Sequence, residues 1–408
     1  MPKKIGQIAV FLIIAVITVF NFSLSPAIAL TDEQKLLNEA WRIVNRSYID
    51  ESFNNQNWWV VREKLIKEPL PDRDATYQAI KKMLATLDDP FTRLLQPDQY
   101  HSLHISTSGE LTGVGLQIAL DDQTQDLIVI APLAHSPADQ GGIQPLDIIL
   151  EIDRISTKQM SLDEAANRMR GPAGSKVILT IKRQNESVVK DFELIRSRIE
   201  INPVTADFRQ TPNNLGIGYI RLSQFSANAP TEVAHAINNL EKQGAKAYIL
   251  DLRNNPGGLL QAGIEIARYW LEPGNIVYTV NRQGLLGSFD ASGSPLTKAP
   301  LVVLVNQGTA SASEILAGAL QDNHRAKLVG EKTFGKGLIQ SLFDLPDGAG
   351  LAVTVAKYET PNHTDINKQG IKPDIIVPST PLKLGEIGTE TDGQYQKAME
   401  ILAGNFNS

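Results

Sequence analysis

Apolar positions follow three successive patterns along this chain. Leu36, Leu37, Ala40, Ile43 and Val44 recur at steps of three and four, which predicts an amphipathic helix. Thr31 with Gln34 three residues later supplies a capping box at its start. A second helix is predicted over 73–87, with Ile80, Met83, Leu84 and Leu87 on one face, and Asp89-Pro90 ends it. Trp41, Trp58 and Trp59 add large apolar surface, so residues 30–100 read as a small helical domain.

From His101 the period becomes that of strands. Runs at 115–120, 127–130, 148–152 and 177–182 are separated by Gly, Pro and Asp turns, with helical stretches near 137–141 and 162–169. Arg170 closes the second of these helices, where a cation complements the helix dipole. This segment, 101–186, reads as a second domain.

A third pattern, over 187–378, alternates strand and helix. Ile217 to Leu222 is strand-like, and Thr231 is expected to cap a helix over 232–242 that Gly244 ends. Ala247 to Leu252 is a near-continuous apolar run, as a strand covered on both faces requires. Asp251 to Gly258 (DLRNNPGG) follows, then a helix to Leu271, then the apolar strand Leu301 to Val305. This β-α-β-α-β order predicts a mostly parallel sheet with functional loops at strand ends. Val353 and Val355 alternate in a closing strand, and residues 379–408 hold a helix over 395–402 and a polar tail.

Behind the Leu301 strand lies a turn of small residues, Gly308 to Ser313, and then a helical run from Glu314 to Leu320. A serine there sits at a helix N-terminus, where free N–H groups and the dipole favour negative charge. That placement suits a nucleophile whose substrate develops an oxyanion. Its base could be a lysine with depressed charge: Lys336, flanked by glycines in FGKG, is the candidate. The six histidines lie in no evident triad context. Taken locally, the same residues also fit a plain helix cap and a hairpin tip.

Composition narrows the class. The chain has 408 residues, enough for two or three domains, with 42% hydrophobic and 21% charged residues, so it is globular. Net charge is −6 with no basic block, which argues against nucleic acid. There is no cysteine, hence no disulfide, thiolate nucleophile or Cys-based zinc site, and no H-E-x-x-H pattern, so neither metal nor cofactor is expected. Lys3 and Lys4, the apolar run Ile8 to Phe22 and Ala27-Ile28-Ala29 predict a signal peptide over 1–29, with the mature chain starting near Leu30. An uncleaved anchor is the alternative and would hold the protein at a membrane surface. Either way the chain is expected to be exported.

TASASEILAGALQD and GEKTFGKGLIQ together resemble the signature of the carboxy-terminal processing proteases, tail-specific serine proteases with a Ser/Lys dyad. The resemblance implies Ser311 as nucleophile, Lys336 as base and Gln340, one turn on, as a residue that helps hold the lysine. It implies an oxyanion hole from the Ala312 amide and a glycine of DLRNNPGG, Gly257 or Gly258, with Gly257 preferred. Asp251 and Arg253 are expected to hold that loop, and Glu314 to brace the helix start or the site. The family's fold is a helical N-terminal domain, a PDZ domain and a crotonase-like α/β protease core. GVGLQI, SPADQGGIQPLDIILEID and GPAGSKVILTIKR look like the PDZ domain, which in that family takes a peptide as an added strand. Its capturing loop would be Leu111 to Leu116, including Gly113, Val114 and Gly115. Arg170 is then expected to report peptide occupancy by docking near Gln340.

The stretch EAWRIVNRSYIDESFNNQNWW resembles the plant and cyanobacterial branch, whose substrate is the carboxy-terminal extension of the photosystem II reaction-centre precursor in the thylakoid lumen. General periplasmic tail processing is the alternative, and the enzyme is expected to be a monomer. Two other classes fit less well. Intact Ser311 and Lys336 argue against a peptide-binding adaptor, and the signal peptide and PDZ domain argue against an acyl-CoA enzyme.

Overall fold

The computed structural model describes residues 30–405 apart from 122, 123, 134, 184–187, 212 and 383. The expected signal peptide, 1–29, lies outside them. The described residues form two compact units, one of 30–96 with 341–354 and one of the remainder.

The first unit is built on three helices. The capping box predicted for α1 (Asp32–Ser47) is present: Gln34 N–H donates to Thr31 Oγ1 at 3.2 Å, and Thr31 N–H donates to Gln34 Oε1 at 3.1 Å. Every apolar position that set its period is buried, and Trp41 Nε1 donates to the carbonyl of Trp58, the first residue of α2 (Trp58–Ile66), at 2.9 Å. Helix α3 (Arg73–Ala85) stops before the predicted Leu87 because Leu87 and Asp88 bond three residues back and Asp88 takes a φ of 53°. The DDPFT turn then feeds β1 (Arg93–Leu95), which runs antiparallel to the first half of the strand Gly350–Glu359. Asp89 Oδ2 joins the two, accepting from Thr92 Oγ1 at 2.6 Å and Thr354 Oγ1 at 2.7 Å. Residues 341–354, read from sequence as protease core, therefore fold with the helices.

In the second unit α4 (Pro97–Ser108) precedes a two-stranded ribbon, β2 (Glu110–Gly113) with β9 (Ser197–Glu200). Between the ribbon strands lies an antiparallel sheet in the order β3-β4-β5-β7-β8: β3 (Leu116–Leu120), β4 (Leu127–Pro132), β5 (Ile148–Ile152), β7 (Lys176–Lys182) and β8 (Val189–Ile195), with the short β6 (Ile155–Ser156) beside β5. Helices α5 (Pro137–Gln140) and α6 (Leu162–Met169) stand where the sequence predicted, and Val129, Ile149, Ile152, Leu179 and Ile181 form the buried centre.

The larger sheet has the order β10-β11-β12-β15-β16-β19: β10 (Val204–Gln210), β11 (Gly216–Leu222), β12 (Ala247–Asp251), β15 (Leu301–Val305), β16 (Ala326–Gly330) and β19 (Ile375–Ile376). Only the edge pair β10/β11 is antiparallel, as the alternating pattern predicted. Successive residues of β15 serve opposite faces. Val303 and Val305 pack with α7 (Ala229–Lys242), α8 (Leu260–Arg268) and α9 (Ala312–Asp322). Val302 and Leu304 pack with Tyr395, Ala398 and Leu402 of α10 (Gly393–Asn405). A strand covered on both faces needs apolar side chains at every position, which is why this run reads as continuous. Helix α7 begins at Ala229 rather than at Glu232: Pro230 fixes its first turn, so Asn228, not Thr231, is the N-cap. The hairpin β13 (Gly274–Asn281) and β14 (Gly284–Ala291) pairs with the second half of β18 (Gly350–Glu359), while β17 (Leu338–Asp344) carries the chain out of the FGKG loop. No described helix is long and apolar enough to cross a membrane.

Candidate active site

The tip of β15 opens into the turn that carries Ser311, the N-cap of α9. Its backbone is strained, with φ 58° and ψ −119°, a conformation that costs a non-glycine residue about 1–3 kcal/mol and persists only where surroundings impose it. Four groups impose it. Ser311 N–H donates to Glu314 Oε2 at 2.9 Å, and its carbonyl accepts from Glu314 N–H at 2.8 Å, Ile315 N–H at 3.0 Å and Tyr358 Oη at 3.1 Å. A nucleophile presented on a strained strand-to-helix turn is the arrangement that exposes a hydroxyl at the head of a sheet.

Glu314 is the hinge of the site. It is fully buried, and its two oxygens receive four donors. Oε1 accepts from Thr333 Oγ1 at 2.5 Å and Gly335 N–H at 2.8 Å, and Oε2 accepts from Lys336 N–H at 2.9 Å besides Ser311 N–H. A carboxylate so filled has no lone pair left to desolvate. It also fixes Ser311 and Lys336 to one oxygen atom although they lie far apart in sequence. Tyr358 Oη grips both from the carbonyl side, contacting the carbonyls of Ser311 and Lys336. Lys336 is half-buried. Gln340, half-buried too, lies in β17, so its offset from Lys336 is that of a strand and not a helical turn.

The DLRNNPGG loop closes on the serine turn from the neighbouring strand. Asn255 is fully buried and serves both sides: its carbonyl accepts from Ala310 N–H at 3.0 Å and Ser313 Oγ at 3.0 Å. A Cβ on Gly257, whose φ is 97°, would lie 2.6 Å from the Ala310 carbonyl oxygen, 2.8 Å from Ser311 Cβ and 2.9 Å from the Ala312 nitrogen. Only glycine permits that approach. Ala312 is the first residue of α9, so its N–H has no carbonyl within the helix. Gly257 N–H donates to Asn255 Oδ1 at 2.9 Å, so the expected oxyanion donor is engaged inside its own loop.

Asp251 and Arg253 stand behind this loop in a buried ion network. Arg253 donates to Asp251 through Nε at 2.9 Å and Nη2 at 2.6 Å, and to Asp392 through Nη1 at 2.9 Å and Nη2 at 2.7 Å. Burial alone would raise the Asp392 carboxyl, but bonding and attraction to Arg253, with the Gly388 and Tyr395 amides, hold it below the usual range. Burial and the adjacent Asp251 carboxylate push the Tyr219 phenol far up, so it stays a donor to Asp251 Oδ2 at 2.7 Å.

In the PDZ-like part the expected capture loop is shorter than the sequence suggested. Leu111 and Gly113 belong to β2 and pair with Ile199 and Ser197, and Leu116 opens β3 opposite Pro132, which leaves Val114 and Gly115 as the turn. Gly115 has φ 76°, and a Cβ there would lie 2.3 Å from Ser136 Cβ. Strand β3 beyond it is an edge of its sheet, the position at which a strand can add. Arg170 closes α6 as its C-cap, its N–H donating to the Ala166 carbonyl at 3.0 Å, but its guanidinium is not the cation on the last carbonyls. That cation is Arg196, which donates to the carbonyls of Arg168 at 2.7 Å and Met169 at 3.0 Å, while Arg170 donates to Asn167 Oδ1 at 3.0 Å.

Known families match two parts of the chain. A PDZ domain family matches residues 128–183, and Peptidase family S41 matches residues 216–377. A carboxyl-terminal-processing protease of Synechocystis sp. (strain ATCC 27184 / PCC 6803 / Kazusa) is 62% identical over 378 residues, covering 93% of this chain and 88% of that one. The chain belongs to peptidase family S41. Chloroplastic carboxyl-terminal-processing peptidase 2 of Arabidopsis thaliana is 46% identical over 385 residues, 92% of this chain and 74% of its own. A solved structure described as a photosystem II D1 C-terminal processing protease shares 43% identity, covers 87% of this chain and 96% of that one, and superposes with a TM-score of 0.57. This S41 member is accordingly a serine-type C-terminal processing peptidase with a helical N-terminal region, a PDZ domain and a mixed α/β core.

The structure brings Ser311, Ala312, Glu314, Lys336 and Gly257 together around one turn, and sets Asp251 and Arg253 behind it. Tyr358, Asn255, Thr333 and Asp392 escaped the sequence reading. For Tyr358 the only sequence signal was its place in the closing strand; for Asp392 there was none.

Proposed function

We propose that Ser311 and Lys336 are the catalytic dyad and that the S41 chain trims the carboxy-terminal extension of the photosystem II D1 precursor. The observation that carries the dyad is the shared Glu314 oxygen, which ties the backbone of both residues to one atom. Neutral Lys336 takes the proton of Ser311 Oγ as that oxygen attacks the scissile carbonyl. The lysine returns the proton to the leaving amine, which departs as the C–N bond breaks. Water, deprotonated by the same lysine, attacks the acyl-enzyme, and the regained proton goes back to Ser311 as the ester bond breaks.

The Ala312 amide serves the oxyanion. The second donor comes from the Gly257–Gly258 turn: Gly257 N–H exchanges its Asn255 partner for the oxyanion, or Gly258 supplies the N–H. Gln340 supports Lys336 from β17, and the turn at Val114 and Gly115, with Leu116 at the start of β3, receives the free carboxylate of the tail while the tail lies along β3. Arg170 signals that occupancy by moving from Asn167 toward Gln340.

The D1 substrate rests on the solved relative described as a photosystem II D1 C-terminal processing protease, and the thylakoid lumen on the cyanobacterial and chloroplastic relatives. The reading is completed by a monomer working at the membrane surface. The test is a D1-type tail offered with a free or an amidated carboxyl end. Cleavage of the free form with at least about ten-fold preference supports the reading. Equal cleavage of both would remove the carboxylate-capture step.

A further inference from the structure

Tyr358 lies in the second half of β18, opposite Thr279 of β13, and is almost wholly buried. Its backbone N–H donates to the Gly337 carbonyl at 3.0 Å, and its hydroxyl reaches the carbonyls of Lys336 and, at 3.1 Å, Ser311. One residue thus holds two consecutive carbonyls of the FGKG loop and the carbonyl of the strained serine. We propose that the Tyr358 hydroxyl is a positioning residue that sets the distance between the Lys336 amine and the Ser311 hydroxyl. The inference rests on the Ser311/Lys336 reading and extends it to a residue that touches neither reacting atom.

Two features make the hydroxyl, rather than the ring, the active part. The ring fills core among apolar neighbours, a task phenylalanine performs equally well. Among the described residues the hydroxyl's partners are both carbonyl oxygens, so it acts toward them as a donor, and a single proton serves both loops. Burial and the nearby Glu314 carboxylate keep the phenol protonated far above its ordinary range. The restraint is therefore constant across the working pH. Glu314 fixes the same two residues by their N–H groups. Without the hydroxyl the two carbonyls lose the donor they share, and the FGKG loop and the serine turn can shift relative to each other on the attachments that remain, Glu314 among them. A misplacement approaching 1 Å between nucleophile and base can cost about 100-fold in rate.

The experiment compares the mature chain with Tyr358→Phe, Lys336→Ala, their double variant and Ser311→Ala. Cleavage of a tail-bearing protein gives kcat and KM over a range of pH, and a fluorophosphonate probe gives the labelling rate of Ser311. Melting and circular dichroism supply the folded fraction. Tyr358→Phe is expected to lower kcat and labelling by about 10–100-fold at every pH with KM nearly unchanged. In the Lys336→Ala background it is expected to add no further loss, because the positioned base is gone. A chain with 3-fluorotyrosine at 358 keeps the hydroxyl and is expected to retain activity even if the phenylalanine variant folds poorly. Wild-type kcat in Tyr358→Phe, or the same loss with and without Lys336, would overturn the inference while leaving the dyad intact. Cleavage surviving Ser311→Ala would instead sink the dyad itself.

Discussion

Replacing Glu314 by glutamine changes one oxygen into an NH2 group inside a fully buried, four-donor clamp. The amide can keep its oxygen where Ser311 and Lys336 N–H converge, turning its NH2 toward Thr333 and Gly335. The Thr333 hydroxyl can then rotate and accept, although its oxygen already accepts from Ile371 N–H at 2.7 Å. Gly335 N–H has no such freedom, and a buried donor without an acceptor costs about 1–3 kcal/mol. The two bonds that survive change from charged to neutral acceptors, which brings the total to about 2–4 kcal/mol. For a unit of this size that lowers the melting temperature by about 3–7 °C. The loop from Thr333 to Lys336 also loses its register on Ser311, so kcat is expected to fall by at least about ten-fold in the fraction that remains folded. Thermal melting followed by circular dichroism, with cleavage rates at a temperature where both proteins are folded, measures the two effects separately. Unchanged melting and an unchanged rate would refute the clamp, since an isosteric amide is harmless only where the donors have other partners.

Three other outcomes follow from the same geometry. Gly257→Ala places a methyl 2.6 Å from the Ala310 carbonyl oxygen at a φ of 97°; it should cut cleavage by about 100-fold or more while far-ultraviolet circular dichroism stays native. Gly115→Ala drives a methyl to 2.3 Å from Ser136 Cβ, so binding of a free-carboxyl peptide, read by fluorescence anisotropy, should weaken about ten-fold or more while kcat at saturation holds. Asp392→Ala removes one of the two carboxylates on buried Arg253 and should cost about 3 kcal/mol in urea unfolding at neutral pH, the low end for a broken buried pair because Asp251 remains. Since the folded-state carboxyl of Asp392 is held below its unfolded value, that contribution is full above about pH 4 and fades as pH falls further. Wild type and variant should therefore converge in acid.

The sequence was most legible where one local pattern decides the outcome. The capping box at Thr31, the helical period after Leu36 and the unbroken apolar run Leu301 to Val305 each imply a single element, and each is present. Helix α4 escaped because Pro97–Ser108 carries little apolar periodicity to read. The start of α7 was misplaced because a good capping residue, Thr231, competes with Pro230, and proline decides the first turn. Leu111 and Gly113 were assigned to a loop because strand β2 finds its partner only in β9, across the whole PDZ sheet. Ser311 and Lys336 were singled out through their motifs. What holds them was hidden, because it is assembled from distant segments: Glu314 gathers donors 19 to 22 residues ahead, and Tyr358 reaches back 47 residues to Ser311. Glu314 itself looked like a helix-start acid, and only its burial reveals a carboxylate that joins two loops.

The most direct test of the dyad is proteolysis by the mature chain, Ser311→Ala and Lys336→Ala on a protein with a free apolar C-terminal tail. Products are identified by mass spectrometry across neutral and alkaline pH. The dyad predicts one cut by the wild type, a rate that rises with pH as Lys336 loses its proton, and loss of that cut in both variants. Cleavage persisting in Lys336→Ala, or a rate flat with pH, would contradict Lys336 as the base.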